Sequence, residues 1–436
     1  MTVEIKSVMT EQDVRSFSKK MNEAAWMTDF RADAFAKLEQ LPMPRPDKTR
    51  IDRWDFTSFP IHAVESPVYA SLDELPAEAR ELFDTDQQES VYIQRNNTPA
   101  FISLSDDLKD KGVILTDIFT ATREHSDLVK KYYMTDGVKV DEHKLTAFNA
   151  AFMNGGLFVY VPKNVVVEKP IHALFLHDNV QASLFNHVII VAEANSSVTY
   201  IENYMSTVSD AKVQANIVSE VFTGDNAQLT YGAVDVLPAG FTTYVNRRGI
   251  ATGRDSSINW ALGLMNDCDT ISEGITHLIG NGSNSDSKTV VVGRGKQRQN
   301  FTTEIISWGE NTNGMILKHG VVKDSSTVIF NGIGKIVKGG KGSNAEQESR
   351  ILMLSDRARG DANPVLLITE DDVTAGHAAS VGRVDPLAMF YLMSRGITKE
   401  EAERLIIHGF LEPVVSQLKL EGVKKQLAEV IERKVR

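Results

Sequence analysis

The middle of this 436-residue sequence consists of short β-strand patterns that recur at a regular spacing. Between residues 151 and 368, runs of β-branched and aromatic residues are separated by Asn, Asp, Ser and Gly, and no long helical period interrupts them. A similar turn precedes a strand in five segments, AEANSSVTY, TGDNAQLTY, GRDSSINW, NSDSKTVV and KDSSTVIF. The first apolar strand residues after these turns, roughly thirty residues apart, are Val198, Leu229, Ile258, Val290 and Val328.

A period of this length in a strand-rich region predicts stacked rungs, as in a β-solenoid or β-helix. A sandwich or a propeller also contains many short strands separated by turns, so both stay open as alternatives on the pattern alone. A solenoid needs caps at its ends, and helical periodicity is present on both sides of the strands. We therefore predict an N-terminal helical region at 1–61, a mixed α/β connector at 62–150, a β-helix core at 151–368 and a C-terminal helical domain at 369–436.

Charge and cysteine content exclude several classes of function. The formal net charge is -11, which argues against duplex nucleic acid or an anionic membrane as a partner. The N-terminus has no apolar segment typical of a secretion signal, and no window has the length of a membrane span, so we expect a cytoplasmic protein. The single cysteine, Cys268, excludes an internal disulfide, and we expect it to be a small buried residue. One thiol is also too few for an iron–sulfur cluster held by this chain alone.

Residues 364–413 contain a strand pattern, one histidine and two helices with clear start and stop signals. Asp385, followed by proline, is typical of a helix start, and Gly396 is typical of its end. Thr398 and Glu401 have the spacing of a capping box, and Gly409 predicts the end of this second helix. These signals predict two short helices in this stretch.

His377 is the leading candidate for a functional side chain. It follows the apolar run PVLLI and an acidic turn at 370–372, and it lies among Gly and Ala, which let another backbone or a ligand come close. Imidazole binds metals and can titrate near neutral pH. Acidic turns are usually only solvated, however, so the residues alone leave a plain surface histidine as the alternative.

A β-helix that cleaves polysaccharides is a competing prediction. Such an enzyme needs clustered carboxylates that project from neighbouring rungs, and acidic residues do recur at the predicted turns. Turn chemistry explains them equally well, because Asp commonly caps its own backbone there. The residues concerned are Asp225, Asp255, Asp286 and Asp324.

Three segments resemble the SufB/SufD family of iron–sulfur cluster assembly proteins. Residues 54–57 (WDFT) are similar to the family's Trp-x-aromatic-Thr element, and residues 156–163 (GLFVYVPK) resemble its strand entry into the core. Asn164 follows where glycine is usual in the family. Residues 372–410, which include His377, resemble the family's most diagnostic region. Because this chain has no cysteine after Cys268, it resembles the SufD type more than the SufB type, although a SufB-type paralogue is the alternative within the family.

The resemblance implies a mainly β fold, with a right-handed parallel β-helix core flanked by N-terminal and C-terminal helical regions. It also implies a non-enzymatic scaffold that pairs through its β-helix edge with SufB, or with itself as a homodimer, and that binds the SufC ATPase through its C-terminal helical domain. The chain would hold no stable cofactor alone, and a transient iron–sulfur cluster or iron would form at the subunit interface. His377 takes the place of the family's cluster-binding histidine; some members have a cysteine two residues before it, where this chain has Ala375.

The same resemblance implies that the helices after His377 transmit the motion of the ATPase. We expect their apolar faces to pack either on the last rung or in a groove of the ATPase. The residues predicted to contact the partner are Phe390, Tyr391, Arg395, Ile406 and Phe410.

Overall fold

The computed structural model describes residues 9–60, 63–83, 90–209, 211–417 and 421–435. Its N-terminal part is mixed, with short helices around three short strands. These elements are α1 (Glu11–Lys20), α2 (Ala25–Lys37), α3 (Ala77–Arg80), β1 (Val91–Arg95), β2 (Thr98–Ser103), α4 (Asp106–Asp110), β3 (Ile114–Asp117), α5 (Ile118–Glu124), α6 (Ser126–Tyr132) and α7 (Lys144–Phe152).

Sixteen further strands form the core of the molecule. They are β4 (Gly155–Val161), β5 (Ile171–His177), β6 (Leu184–Ala192), β7 (Ser197–Ser206), β8 (Val213–Thr223), β9 (Gln228–Val236), β10 (Phe241–Ala251), β11 (Ser257–Leu264), β12 (Asp269–Leu278), β13 (Asn284–Gly293), β14 (Arg298–Ser307), β15 (Asn313–Val322), β16 (Thr327–Ile336), β17 (Asn344–Met353), β18 (Arg359–Ile368) and β19 (Thr374–Arg383). Three helices follow: α8 (Pro386–Ser394), α9 (Lys399–Val415) and α10 (Glu421–Val435).

The sixteen strands alternate between two sheets. Sheet A contains β5 and every second strand to β19, and sheet B contains β4 and every second strand to β18. Each of these strands pairs in parallel with the strand two positions away in the chain, for example β15 with β17 and β16 with β18. The pairs from β4–β5 to β18–β19 are therefore eight stacked rungs, and the predicted parallel solenoid is confirmed. The sandwich alternative is wrong, because its sheets are antiparallel.

The repeated turns are explained by backbone geometry. Asn195, Asn226 and Asp255 have φ values of 58°, 55° and 54°, a left-handed conformation that Asn and Asp tolerate better than other side chains. The amide of each turn donates to a carbonyl of the next turn, as Asn195 does to Asp225. Asn164 has the same left-handed geometry, with φ of 63°. Glycine adopts this conformation easily, which explains why it is usual at this position in the family that the sequence resembles.

The apolar positions after the five turns align only in part. Val198, Leu229 and Ile258 lie in one ladder of sheet A and are buried inside the solenoid. Val290 belongs to a different buried cluster, outside the solenoid, and Val328 lies on sheet B. The five positions therefore do not form one ladder, because residues 284–289 before Val290 are part of β13 itself and the turn before Val328 leads into sheet B.

The interior of the solenoid is mainly apolar, with two buried ionic features. Arg247 lies between the carboxylates of Glu202 and Asp235, at nitrogen–oxygen distances of 2.9 Å to each. Burial raises the pKa of both acids, and the guanidinium opposes this rise. Further along the solenoid, the fully buried Nζ of Lys318 donates to the carbonyls of Phe301 and Asn331, at 3.3 Å and 2.7 Å.

Terminal regions cover the outer faces of both sheets. A large apolar cluster joins the N-terminal helices to the outer face of sheet B, and it includes Trp54 and Phe56 of the WDFT segment. The ring of Trp54 also lies under the guanidinium of Arg298, at 5.0 Å from the centroid. A second cluster joins α9 and α10 to the outer face of sheet A. It includes the predicted face of the last helix, Val423, Leu427, Val430 and Ile431.

The secondary structure differs from the predicted zones at three places. In the connector, β1 pairs with β5 and β3 with β4, so this zone contributes strands to both sheets. The segment from 369 begins with the strand β19 rather than with helix, because the backbone ladder to β17 imposes an extended conformation on a Gly- and Ala-rich sequence. The second helix does not end at Gly409; α9 continues to Val415 with Pro413 inside it. Among the described residues, no helix is long and apolar enough to cross a membrane.

Candidate functional site

The last rung of the solenoid is an open end. Strands β18 and β19 stand at the edges of their sheets, and most of their residues are exposed or half-buried. Their exposed side chains include several large apolar ones. These are Val365, Leu367, Ile368 and Val381.

The free edge of β19 also offers backbone hydrogen-bonding groups. The amides of Thr374 and Val384, ten residues apart, donate to the carbonyls of Ser343, just before β17, and of Met353 at its end. Because successive residues of a strand direct their amides to opposite sides, the amides of His377, Ala379 and Val381 face the free edge. An unpaired row of this kind is a template for pairing with another strand.

His377 lies in the middle of this edge strand and is exposed. It is aligned with Gln347 of β17, whose side-chain amide crosses the interior and donates to the carbonyl of Val365 at 2.9 Å. Aligned residues of parallel strands share a face, so position 377 belongs to the inward-facing row at the open end. The described residues contain no group of three or more His, Cys, Asp or Glu placed to hold a metal ion.

A cavity of about 380 Å³ lies against the same strands. Glu346 and Glu348 of β17 line it together with Gly376 to Ala378 of β19, and Gln417 after α9 also borders it. The small residues of β19 leave this space open, as expected from the sequence.

The acidic turn before β19 does not contribute to this site. Glu370 accepts hydrogen bonds from the amides of Gly339 and Asp371, and its carboxylate lies 3.2 Å from the Lys338 amine. The Gly339 and Asp371 amides, together with Lys338, lower the pKa of Glu370 to about 2. Glu370 therefore stabilises the turn between the last two strands and does not face the space beside His377.

His319 is a contact residue that the sequence did not reveal, since no motif surrounds it. It lies on β15 at the outer face of sheet A and is almost fully buried. Its Nδ1 is 2.8 Å from the carbonyl oxygen of Phe410 in α9, and its Nε2 is 3.3 Å from Oε1 of Glu348. The imidazole ring also stacks on the Phe410 ring, with centroids 5.0 Å apart.

The predicted partner-binding residues divide into two groups. Phe390 and Tyr391 of α8 are 69% and 57% exposed, and Arg395 lies over the Tyr391 ring. Helix α8 has no buried residue, and Leu387 and Met393 add to its exposed apolar surface. Ile406 and Phe410 of α9 are half-buried, and Phe410 packs on the solenoid through His319.

The N-terminus of α8 has the predicted cap. The carboxylate of Asp385 accepts the amide of Leu387, with Pro386 at the first helical position. Gly396 has φ of 86°, a left-handed conformation that ends the helix. The side chain of Thr398 then caps α9 by accepting the Glu401 amide. The structure therefore presents α8 as a short, well-delimited and exposed helix.

Cys268 has the environment expected of a structural cysteine. It is buried, and its Sγ lies 3.3 Å and 3.6 Å from the hydroxyls of Thr243 and Thr270. Burial raises the pKa of its thiol to about 11. The thiol is therefore protonated near neutral pH, and it is not part of the open end.

The recurring aspartates do not form a paired catalytic site. Asp225 and Asp324 each accept a backbone amide of a neighbouring turn, and Asp255 itself occupies a left-handed turn position. Asp286 pairs with Lys288 on its own strand. Turn and strand contacts thus account for these carboxylates.

Comparison with known proteins identifies the same family over the whole chain. Residues 175–410 match the SUF system FeS cluster assembly, SufBD core domain, and residues 12–173 match the SufBD protein N-terminal region. The iron–sulfur cluster assembly protein SufD of Bacillus subtilis (strain 168) is 62% identical over 437 residues, covering 100% of both chains. An iron–sulfur cluster assembly SufBD family protein of Staphylococcus saprophyticus is 28% identical over 425 residues, covering 95% of this chain and 90% of the relative. A family protein of Staphylococcus haemolyticus is similar to the same degree.

Proposed function

Because this chain belongs to the SufBD family of iron–sulfur cluster assembly proteins and is of the SufD type, we propose that it is a non-enzymatic scaffold subunit of the SUF machinery. In this proposal it pairs with a SufB-type subunit through the open end of the solenoid. The nascent cluster is the cargo of the pair, and neither subunit binds it as a permanent cofactor. The cytoplasmic location expected from the sequence stays a prediction.

The open last rung is the observation that carries this proposal. An exposed strand edge with apolar side chains normally promotes aggregation unless another chain covers it. The edge of β19 offers free amides and exposed Val381, and β18 adds exposed Leu367. A second solenoid of the same width could extend both sheets across this edge. A homodimer of this chain would satisfy the same requirement and is the second candidate.

His377 is the residue proposed to bind the nascent cluster or its iron. It is exposed on the strand that would meet the partner, and it lies in the inward-facing row. Neutral imidazole is an established ligand of transition metals and of some iron–sulfur clusters. Thiolates must come from the partner, since Cys268 is buried.

Helix α8 is the proposed contact for a SufC-type ATPase. Its residues are apolar nearly all round and none is buried, so the exposed side chains, Phe390 and Tyr391 among them, suit an apolar groove of a partner. Arg395 lies beside Tyr391 on this surface, and Phe410 of α9 packs against the apolar cluster on sheet A; Ile406 is half-buried on the same helix. Movement of α8 would therefore be transmitted to sheet A through α9.

The test is reconstitution with a SufB-type subunit and a SufC-type ATPase. Ala379→Pro removes an amide that faces the free edge without removing a ladder bond to β17, so pairing should weaken while the melting temperature changes little. Ala379→Ser keeps the amide and is the matched control. Equal pairing by both variants would contradict the edge contact.

The ligand role of His377 is tested in the same complex. His377→Ala should lower the iron and sulfide that copurify with the complex, while the complex itself still assembles. His277→Ala, on the outer face of sheet B, is the control and should leave the cluster content unchanged. Wild-type iron and sulfide content in the His377→Ala complex would rule out the ligand role and leave the scaffold proposal intact.

A further inference from the structure

A small cavity lies between helix α10 and the outer face of sheet A. It has a volume of about 230 Å³ and is bordered by α10, by β7 and β9, and by α3. Cavities for drug-sized ligands and cofactors measure about 300–1,000 Å³, so a ligand here would have the size of an amino acid. Apolar side chains form one part of the wall. They are Met205, Val234, Val236, Met265 and Val430.

Two buried amides line this cavity and have unused hydrogen-bonding groups. Asn203 of β7 and Gln426 of α10 are each 5% exposed. The amide nitrogen of Asn203 donates to Oε1 of Gln426 at 2.8 Å and directs its second proton at the carbonyl of Val234, 3.5 Å away. Among the described residues, none bonds to Oδ1 of Asn203 or to the amide nitrogen of Gln426. One acceptor oxygen and one donor NH₂ are thus left side by side, although buried polar groups normally have partners.

Charged side chains of both signs stand at the rim of the cavity. Glu429 and Arg433 lie one turn apart on α10 and are exposed, yet they form no ion pair with each other or with another described residue. Glu78 of α3 is a second carboxylate at the rim without an ion pair in the described part of the chain. Deeper in the wall the charges are already paired, since Lys434 donates to Asp267 at 2.7 Å. A ligand that carries both an anionic and a cationic group would therefore find a partner for each at the rim.

We propose that this cavity binds a free apolar α-amino acid of the size of leucine or methionine. The carboxylate of the ligand accepts a hydrogen bond from the amide nitrogen of Gln426 and lies beside Arg433. Its ammonium group donates to Oδ1 of Asn203 and lies beside Glu429. Its side chain occupies the apolar part of the wall, where removal of its methyl groups from water is favourable. The cavity is separate from the open end and from α8, so this inference does not depend on the proposed function.

The two amides distinguish a zwitterion from simpler ions. A monocarboxylate leaves Oδ1 of Asn203 unpaired and meets the like charges of the rim carboxylates. An alkylamine leaves the amide nitrogen of Gln426 unpaired and meets the like charge of Arg433. Because a polar group that stays unpaired in a complex lowers the affinity, we expect the cavity to prefer the amino acid to both.

Isothermal titration calorimetry of the full-length chain with L-leucine and L-methionine tests the site. For ligands of this size we expect a dissociation constant of about 1 mM or lower for at least one of the two. Isocaproate lacks the ammonium group and isoamylamine lacks the carboxylate, so each should bind at least about tenfold more weakly than L-leucine. No binding of either amino acid at about ten times that concentration, or equal binding of isocaproate, would overturn the proposal.

Gln426→Glu shows whether the ligand lies in this cavity. The new carboxylate keeps an acceptor for Asn203 but replaces the donor NH₂ by an anionic oxygen, so binding of the amino acid should weaken at least about tenfold, whereas isoamylamine should bind more tightly than to the wild type. Gln417→Glu adds the same charge outside this cavity and is the matched control, with wild-type affinity expected.

A second variant keeps the test decisive if Gln426→Glu folds poorly. Arg433→Gln removes an exposed charge without an ion pair, so it should weaken binding of the amino acid several-fold and leave the urea unfolding midpoint unchanged. Lys425→Gln, on the same helix but outside the cavity wall, is its control. Wild-type affinity in Arg433→Gln, or in a folded Gln426→Glu, would place the ligand elsewhere and overturn the proposal.

Discussion

Lys318 predicts an unusual dependence of stability on pH. Its amine is fully buried inside the solenoid, with two backbone carbonyls as hydrogen-bond acceptors and the Phe330 ring 5.5 Å away. Burial lowers the pKa of Lys318 from 10.5 to about 7. Between these two values the unfolded chain binds a proton that the folded chain does not, so the free energy of unfolding must rise with pH in this range.

The size of the effect follows from the pKa difference. A shift of about 3.5 units corresponds to about 5 kcal/mol of destabilisation when the folded amine is protonated, at about 1.4 kcal/mol per unit. The cost to the free energy of unfolding falls to about 4 kcal/mol at pH 7, where about half of the folded amines are neutral. At pH 9 it falls to about 2 kcal/mol, because the folded amine is then neutral and the unfolded amine approaches its own pKa. Lys318→Met removes the penalty together with two hydrogen bonds worth about 1 kcal/mol each.

Urea unfolding of the wild type and of Lys318→Met at pH 7, 8 and 9 measures this difference. The variant should be more stable at pH 7, and its advantage should shrink by about 2 kcal/mol at pH 9. Lys335→Met removes the same charge from the half-buried outer face of sheet B and serves as the control. Parallel stability curves of the wild type and Lys318→Met from pH 7 to 9 would refute the reasoning, whatever their absolute separation.

Two other buried groups lead to further predictions. Because burial raises the pKa of Cys268 to about 11, its thiol should react with a maleimide at pH 8 at least about 100-fold more slowly in the folded chain than in urea; comparable rates would contradict its burial. Arg247→Met leaves Glu202 and Asp235 in the interior without a cation and should cost about 3–5 kcal/mol in chemical unfolding at pH 8. The loss of stability should be smaller at pH 5, because both acids have raised pKa values and protonate more easily there. A larger loss of stability at pH 5 than at pH 8 would contradict this prediction.

The parts of the fold that depend on local chemistry could be predicted from the sequence. Asn195 and Asn226 mark turns because their left-handed conformation is a property of single residues. The caps at Asp385 and Thr398 are local for the same reason. Alignment of the rungs is a long-range property, and a turn signal does not say which of the two sheets the next strand joins. The sequence therefore does not show that the strand after the turn before Val328 joins sheet B, whereas the strand with Val198 joins sheet A.

Only single residues of the candidate site could be identified from the sequence, and their contacts could not. His377 is a candidate from the sequence and its role stays a prediction, whereas its strand was not predicted, since the Gly- and Ala-rich segment has weak β propensity and is extended through its ladder with β17. His319 had no sequence signal at all, because its partners Glu348 and Phe410 are 29 and 91 residues away in the chain. Contacts of this separation are created by the stacking of rungs.

The two ends of the solenoid differ in a way that bears on assembly. At the first end, β2 and β3 pair in antiparallel fashion with β1 and β4, so the chain folds back on its own sheets. At the last end, β18 and β19 pair on one side only. Natural edge strands are usually protected by charges, proline or bulges; β18 has Pro364 at its centre, whereas the central residues of β19 around His377 are mainly small or apolar. The free edge of β19 is therefore less protected than that of β18, and it is the edge at which a strand of another chain could add to the sheet. Under the proposed function that strand belongs to another chain, and the contact that extends the sheet would then also bury His377 on β19.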